Sequence, residues 1–280
     1  MVKHKPSNST LSTRRRVSIS PIRLMLTLNL LLVMLGALVL AYTFNQSQPL
    51  SLSHALARNV SLRQTIQLQP SPIASLPPLV PLFHGNLHLP EIALTFDDGP
   101  NPYFTPQILA ILQRFKIQAT FFCIGQMVVR YPTIVSQEDM NGNLVEDHTW
   151  SHPHLRLLAA TAIYQQVEKG KQAIQQVTGE TPTFFRPPYG EDTPASIAQA
   201  RQLDLSTILW DVDPLDWTRP GVDTLVTRVL QATTNGSIIL LHDGGGNRAQ
   251  TLAALPKIIS TLQQRGYRFV TIRQMINDLP

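Results

Sequence analysis

Residues 91–100 read Glu91-Ile92-Ala93-Leu94-Thr95-Phe96-Asp97-Asp98-Gly99-Pro100. The first six, with Ile92, Ala93, Leu94 and Phe96 apolar and Thr95 β-favouring, predict a strand. The last four are a tight turn that carries two adjacent carboxylates. Leaving the strand in different directions, one can bind a metal while its neighbour stays free to take a proton. Alone, an Asp-Asp-Gly-Pro segment is more often only a turn, so its meaning depends on what surrounds it.

Working outward, strand and helix signals alternate over residues 91–280. Thr105-Pro106 reads as N-cap and first helical residue. Ile108, Leu109, Ile111, Leu112 and Phe115 then share one helical face. Residues 119–124 form the next strand, closed by Gly125. A helix over 132–139, a short strand over 144–146 and a long helix over 161–177 follow, with Gly179 just past the last. Further strands are expected near 183–185, 205–209, 237–241 and 268–271, and helices near 194–202, 222–232 and 250–265. This alternation predicts a parallel α/β sheet, and about seven βα units favour a complete or incomplete barrel over an open sheet. Chemistry in such barrels collects just after each strand.

Polar clusters do fall there. After the third strand come His148 and His152, an i, i+4 pair expected on one side of a helical turn and able to reach one ion. His154 is the expected bystander of the three. After the next strand, Arg186-Pro187-Pro188-Tyr189-Gly190 sets a cation beside a rigid turn. The arginine can orient a carboxylate, and the turn can present a backbone N–H to a developing oxyanion. The loop 210–217 holds Trp210, Asp211, Asp213, Asp216 and Trp217. His242 ends an apolar strand, a position suited to a general acid. Each signal has an ordinary structural explanation when taken singly.

Their order is more specific. TFDDGP, HTWSH, RPPYG, DPLDW and LLHD resemble the five ordered motifs of the polysaccharide deacetylase family (carbohydrate esterase family 4), over roughly residues 91–280. The resemblance implies a distorted, incomplete (β/α) barrel and metal-dependent removal of acetyl groups from amino sugars or acetylated xylan. It implies Asp98, His148 and His152 as ligands of one divalent ion, zinc first, with cobalt or another divalent ion as alternatives. It implies Asp97 as general base, Arg186 holding Asp97, and the Tyr189 N–H in the oxyanion site, with Tyr189 also among the substrate-binding residues. His242 becomes the general acid, tuned by Asp216, and Trp217 and Leu240 shape the pocket for the acetyl methyl. One stretch departs from the family. Where G-H-E-I-G-N is common, this chain has Gly142-Asn143-Leu144-Val145-Glu146-Asp147, which places Glu146 two positions before a ligand.

The remaining sequence concerns location. The chain has 280 residues, a net charge of +5 and one cysteine, Cys123. Hydrophobic residues make up 43% and charged residues 15%, which excludes a wholly disordered chain. With one cysteine, no intrachain disulfide can form. The basic excess is confined to the N-terminus: residues 1–23 hold six Lys/Arg and no acid, whereas 91–280 hold 15 Lys/Arg against 18 Asp/Glu. A basic face on the domain is therefore not expected, which argues against nucleic acid as a partner. Residues 24–44 are almost continuously apolar, and about 20 such residues span a bilayer core of roughly 30 Å. With the cations all before this run, residues 1–23 are expected in the cytoplasm and the domain outside it. A cleaved signal peptide ending near Val39-Leu40-Ala41 is the alternative, and would give a secreted enzyme. Residues 45–90 contain seven prolines and no acid, the composition of a linker. Their last ten could form an entry strand.

An exported deacetylase points to peptidoglycan N-acetylglucosamine as substrate. Chitooligosaccharide, poly-N-acetylglucosamine and acetylxylan are the alternatives. Two other classes compete: a non-haem iron(II) oxygenase, which shares the two-His, one-carboxylate set, and a non-catalytic glycan-binding protein of the same fold.

Overall fold

The long strand β1 (Glu91–Gly99) is the spine of the sheet, buried along almost all of its nine residues. It lies in a computed structural model that describes residues 80–279. After it come α1 (Phe104–Phe115), β2 (Thr120–Cys123), α2 (Gly125–Arg130), α3 (Pro132–Met140), β3 (Leu144–Asp147), α4 (Ala160–Thr178) and β4 (Phe184–Phe185). The chain continues through α5 (Pro194–Gln202), β5 (Ser206–Thr207), α6 (Val222–Ala232), β6 (Ile238–His242), α7 (Ala249–Gln264), β7 (Arg268–Phe269) and α8 (Ile272–Asn277). The strands run in the order β5-β4-β3-β2-β1-β6, with β7 beside the start of β1. Every pairing is parallel.

Alternation along β1 separates two environments. Ile92, Leu94 and Phe96 join the core formed with the helices, where Ile108 and Leu112 of α1 and Leu255, Ile258, Ile259 and Leu262 of α7 pack. Ala93 belongs to a second cluster with Phe122, Phe184, Ile208 and Ile238, which fills the inside of the curved sheet. Ile272 and Met275 of α8 seal that cluster at the N-terminal end of the strands. Truncating a fully buried ring such as Phe96 to alanine would cost about 3–5 kcal/mol.

The sheet does not close by a regular ladder between β5 and β6. Isolated bridges stitch that seam instead: Leu82 with Ile208, and Val212 with Ile239. Leu82 donates to the Thr207 carbonyl at 2.9 Å and accepts from the Leu209 N–H at 2.8 Å. The Gly85 N–H donates to the Gly236 carbonyl at 2.7 Å. Leu82 and Gly85, within the ten residues where an entry strand is possible, therefore hydrogen-bond into the sheet before β1 begins.

Other expectations are corrected locally. Thr105 does not cap α1. Its hydroxyl turns inward to the Asp243 carboxylate, while the Asn101 side chain accepts from the Tyr103 and Phe104 N–H groups at 2.9 and 3.1 Å. Gly125 opens α2, a helix not expected from the sequence, and Trp150 packs where a Cβ at this position would stand, 2.7 Å away. α8 was also not expected; a capping box between Thr271 and Gln274 starts it. Residues 148–152 are not a helical turn. Thr149 and His152 have φ of 69° and 57°, so the two histidines converge from an irregular loop. The expected membrane span at 24–44 and most of the linker lie outside the described residues. Among the described residues, no helix is long and apolar enough to cross a membrane.

Candidate active site

The site assembles where the strands end, from the last residues of β1 and β6 and the loops after β3, β4, β5 and β6. On β1, Asp97 points to the inside of the sheet and the next residue turns out of line, because Asp98 has a left-handed φ of 72°. The loop after β6 presses on this turn. A Cβ at Gly244 would lie 1.9 Å from the Asp98 carbonyl oxygen, so only glycine allows that approach. Asp243 and Gly244 both donate their N–H groups to the Asp97 carbonyl, at 3.1 and 3.3 Å.

Three side chains then meet. The Nε2 atoms of His148 and His152 lie 3.6 and 3.2 Å from Asp98 Oδ1. One ligand atom from each of the three residues lies within 4.8 Å of the others, a spacing that can hold one cation. Two details fit that use. His148 Nδ1 contacts the Arg186 carbonyl at 2.7 Å, which makes Nδ1 the donor and leaves the Nε2 lone pair toward Asp98. Asp98 Oδ1 is buried and has no hydrogen-bond partner among the described residues, a cost that a bound cation would offset. Burial, and then the neighbouring His152, push the His148 pKa down to about 3, so the imidazole is neutral and free to coordinate.

Arg186, at the end of β4, is completely buried. Its Nη1 donates to Asp97 Oδ1 at 2.8 Å and to Thr95 Oγ1 at 2.7 Å. Its Nη2 donates to the Leu209 carbonyl at 3.0 Å. The guanidinium also lies over the ring of Phe122, 4.1 Å from the centroid. These contacts occupy one oxygen of Asp97 and leave the other, Oδ2, 3.8 Å from His148 Nε2. Burial raises the pKa of Asp97, while the charges of Arg186 and His242 pull it back, and it stays above the ordinary carboxylate value.

His242 stands opposite Asp97 in the β1–β6 register. Its Nδ1 contacts Asp216 Oδ1 at 2.7 Å. Asp216 Oδ2 accepts from the His242 N–H at 3.0 Å and from the Thr251 hydroxyl at 2.7 Å. Burial opposes protonation of His242, but the hydrogen bond and charge of Asp216, with the charges of Asp97 and Asp98, outweigh it and the pKa is raised.

The remaining expected residues line the surroundings. Leu240 is buried on β6, two residues before His242. Trp217 and Tyr189 are 54% and 58% exposed. Tyr189 has a left-handed φ of 59°, and its ring meets His152 edge-on, with centroids 4.6 Å apart. Glu146 points to the inside of the sheet below His148 and touches none of the candidate ligands. Its Oε2 accepts the Thr183 and Phe184 N–H groups at 2.8 Å each, and burial raises its pKa to about 7. Thr95, inside the TFDDGP motif but given no role there, braces Arg186, and Thr251, which carries no local sequence signal, braces Asp216. His154 stays outside the ligand cluster, as expected, and instead stacks on Tyr189 and contacts Glu191.

A family model described as polysaccharide deacetylase matches residues 84–208. That segment contains Asp97, Asp98, His148, His152, Arg186 and Tyr189 and stops before Asp216 and His242. A peptidoglycan-N-acetylglucosamine deacetylase of Bacillus cereus is 41% identical over 187 residues, covering 66% of this chain and 87% of the relative. A chitooligosaccharide deacetylase of Bradyrhizobium sp. is 37% identical over 197 residues, covering 66% of this chain and 90% of the relative. Among solved structures, a peptidoglycan N-acetylglucosamine deacetylase in complex with 4-naphthalen-1-yl-N-oxidanyl-benzamide superposes with a TM-score of 0.68 at 36% identity, covering 70% of this chain and 92% of the other.

Proposed function

The chain belongs to the polysaccharide deacetylase family, and from that premise we propose that it hydrolyses the acetamide of N-acetylglucosamine units in peptidoglycan. One observation carries the reading. Asp97 is held by Arg186 at one oxygen, and its other oxygen is turned toward the cluster of Asp98, His148 and His152. That is a hydrolytic arrangement, with a base poised beside a site for an electrophile. It disfavours an oxygenase, which has no use for the spare carboxylate or for His242. It equally disfavours a binding module, which has no use for an oriented base.

We assign Asp98, His148 and His152 as ligands of one divalent ion, zinc first. Bound there, the ion would polarise the acetyl carbonyl and acidify water at the site. Asp97 Oδ2 accepts a proton from the attacking water. Arg186 keeps the base from rotating away. The Tyr189 N–H donates to the carbonyl oxygen as negative charge develops on it. His242, whose Nδ1 is taken by Asp216, protonates the departing nitrogen from Nε2. The new C–O bond replaces the C–N bond, and acetate and a free amino sugar leave. Leu240 and Trp217 wall the acetyl methyl.

Residues 24–44 serve, in this proposal, as a single membrane anchor with the domain outside the cytoplasm, facing the wall. The chitooligosaccharide-deacetylase relative supports a second substrate, a soluble chitin oligomer. Full-length protein incubated with peptidoglycan, chitin oligomers, poly-N-acetylglucosamine and acetylxylan should release acetate fastest from peptidoglycan. Chelation should abolish release, and zinc or cobalt should restore it. Release indifferent to chelator would remove the metal assignment, and no release from any glycan would remove the function.

A further inference from the structure

Tyr189 sits in the left-handed region, where a non-glycine residue is strained and persists only if its surroundings hold it. Besides the edge-on His152 ring, two neighbours do so. Beneath the turn lies Trp210, and a Cβ at Gly190 would lie 3.1 Å from its ring. Above it, the His154 ring stacks on the Tyr189 ring with centroids 3.9 Å apart and planes at 13°. His154 is fixed in turn, since its Nδ1 contacts Glu191 Oε1 at 2.8 Å. The other oxygen of Glu191 accepts the Arg156 N–H at 3.0 Å. Arg156 also reaches the carboxylate through Nε at 3.3 Å. His154 and Arg156 belong to the loop after β3, and Tyr189 and Glu191 to the loop after β4. The Glu191–His154–Tyr189 stack is therefore a clasp between the loop that carries His152 and the loop that carries the proposed oxyanion donor.

We infer that His154 and Glu191 are positioning residues: their clasp keeps Tyr189 in its left-handed conformation and so keeps its N–H aimed at the reacting carbonyl. This rests on the deacetylase reading. Neither side chain touches the reacting atoms. Loss of the clasp lets residue 189 relax toward an ordinary conformation and turns the amide away, which weakens the transition state more than the ground state. Misplacement of one oxyanion donor is worth about 10–100-fold in rate, below the loss from deleting such a donor outright.

The test measures acetate release by full-length His154→Ala, Glu191→Ala, His154→Phe and Tyr189→Gly, with zinc content determined for each. His154→Ala and Glu191→Ala should lower kcat by about 10-fold or more with KM and zinc content unchanged. His154→Phe, which retains the stacked ring, should recover most of the loss. Glycine adopts positive φ without strain. In the Tyr189→Gly background, His154→Ala should therefore have little further effect. Normal kcat in His154→Ala, loss of zinc in parallel with activity, or additive effects of His154→Ala and Tyr189→Gly would each overturn the inference. Turnover by the unaltered protein in the same assay separates these outcomes from failure of the deacetylase reading itself.

Discussion

Two buried acid–base couples face each other across the mouth of the sheet, and they differ in which partner works. Asp97 and Arg186 contact at 2.8 Å, and Asp216 and His242 at 2.7 Å. In the first couple the cation is permanent and its donors are spent on Asp97, Thr95 and the carbonyls of the β5 loop. Arg186 is the fixture and the carboxylate is the working group. In the second the carboxylate is the fixture, tied by Thr251 and the His242 N–H, and the imidazole works. Burial opposes charge in both. It raises Asp97 and lowers Arg186, while their mutual attraction resists both shifts. The same contact length thus holds a base ready to accept a proton on one side and an acid ready to give one on the other.

The contrast breaks most sharply at Asp97. Asp97→Asn keeps the shape and the Arg186 contact but removes the proton acceptor, so kcat should fall by about 10²–10⁴-fold. Zinc measured in the purified variant should stay at the unaltered level. Near-normal turnover would mean that the base is elsewhere.

A smaller change sharpens the other couple. Because Asp216 raises the His242 pKa, the active protonated form persists to higher pH and is lost as pH rises through that raised value. In Asp216→Asn this support is gone, and the alkaline limb of the kcat profile should move to lower pH. Activity on the alkaline side of the profile should drop, while activity on the acid side should change less. An unmoved limb would show that His242 is not the acid.

The smallest effect belongs to Glu146, outside both couples. Its pKa rises from an ordinary 4.5 to about 7 through burial. The folded protein then holds a proton that the unfolded chain releases, so stability from this residue falls as pH climbs from 4.5 to about 7. Glu146→Gln should leave kcat near normal. Its thermal midpoint relative to the parent should rise across that window and level off above it. A flat difference between the two proteins would refute the shift.

What the sequence disclosed follows the reach of each interaction. Helices α5 and α6 were expected with the bounds observed, because their signals lie within a few residues of one another. The start of α1 differs from the sequence expectation because the Thr105 hydroxyl answers to Asp243, 138 positions away. The HTWSH segment promised converging histidines and delivers them, yet through left-handed residues at 149 and 152 that no periodicity announces. The resemblance points to Asp97, Arg186, Asp216 and His242 through ordered motifs, and in the fold Arg186 contacts Asp97 and His242 contacts Asp216. Thr251 and Glu191 remained invisible, since a hydroxyl at a helix start or a glutamate after a turn is common everywhere. Only folding shows what they brace.

The stitched seam between β5 and β6 has a mechanical consequence. A load arriving from the N-terminal side would be met first at Leu82 and Gly85, whose bonds run to Thr207, Leu209 and Gly236. The strand that bears Asp97 is shielded behind them. Cutting the chain at Glu91 would discard that strain relief and leave the seam's backbone groups facing water, while the first residue of β1 became the anchorage.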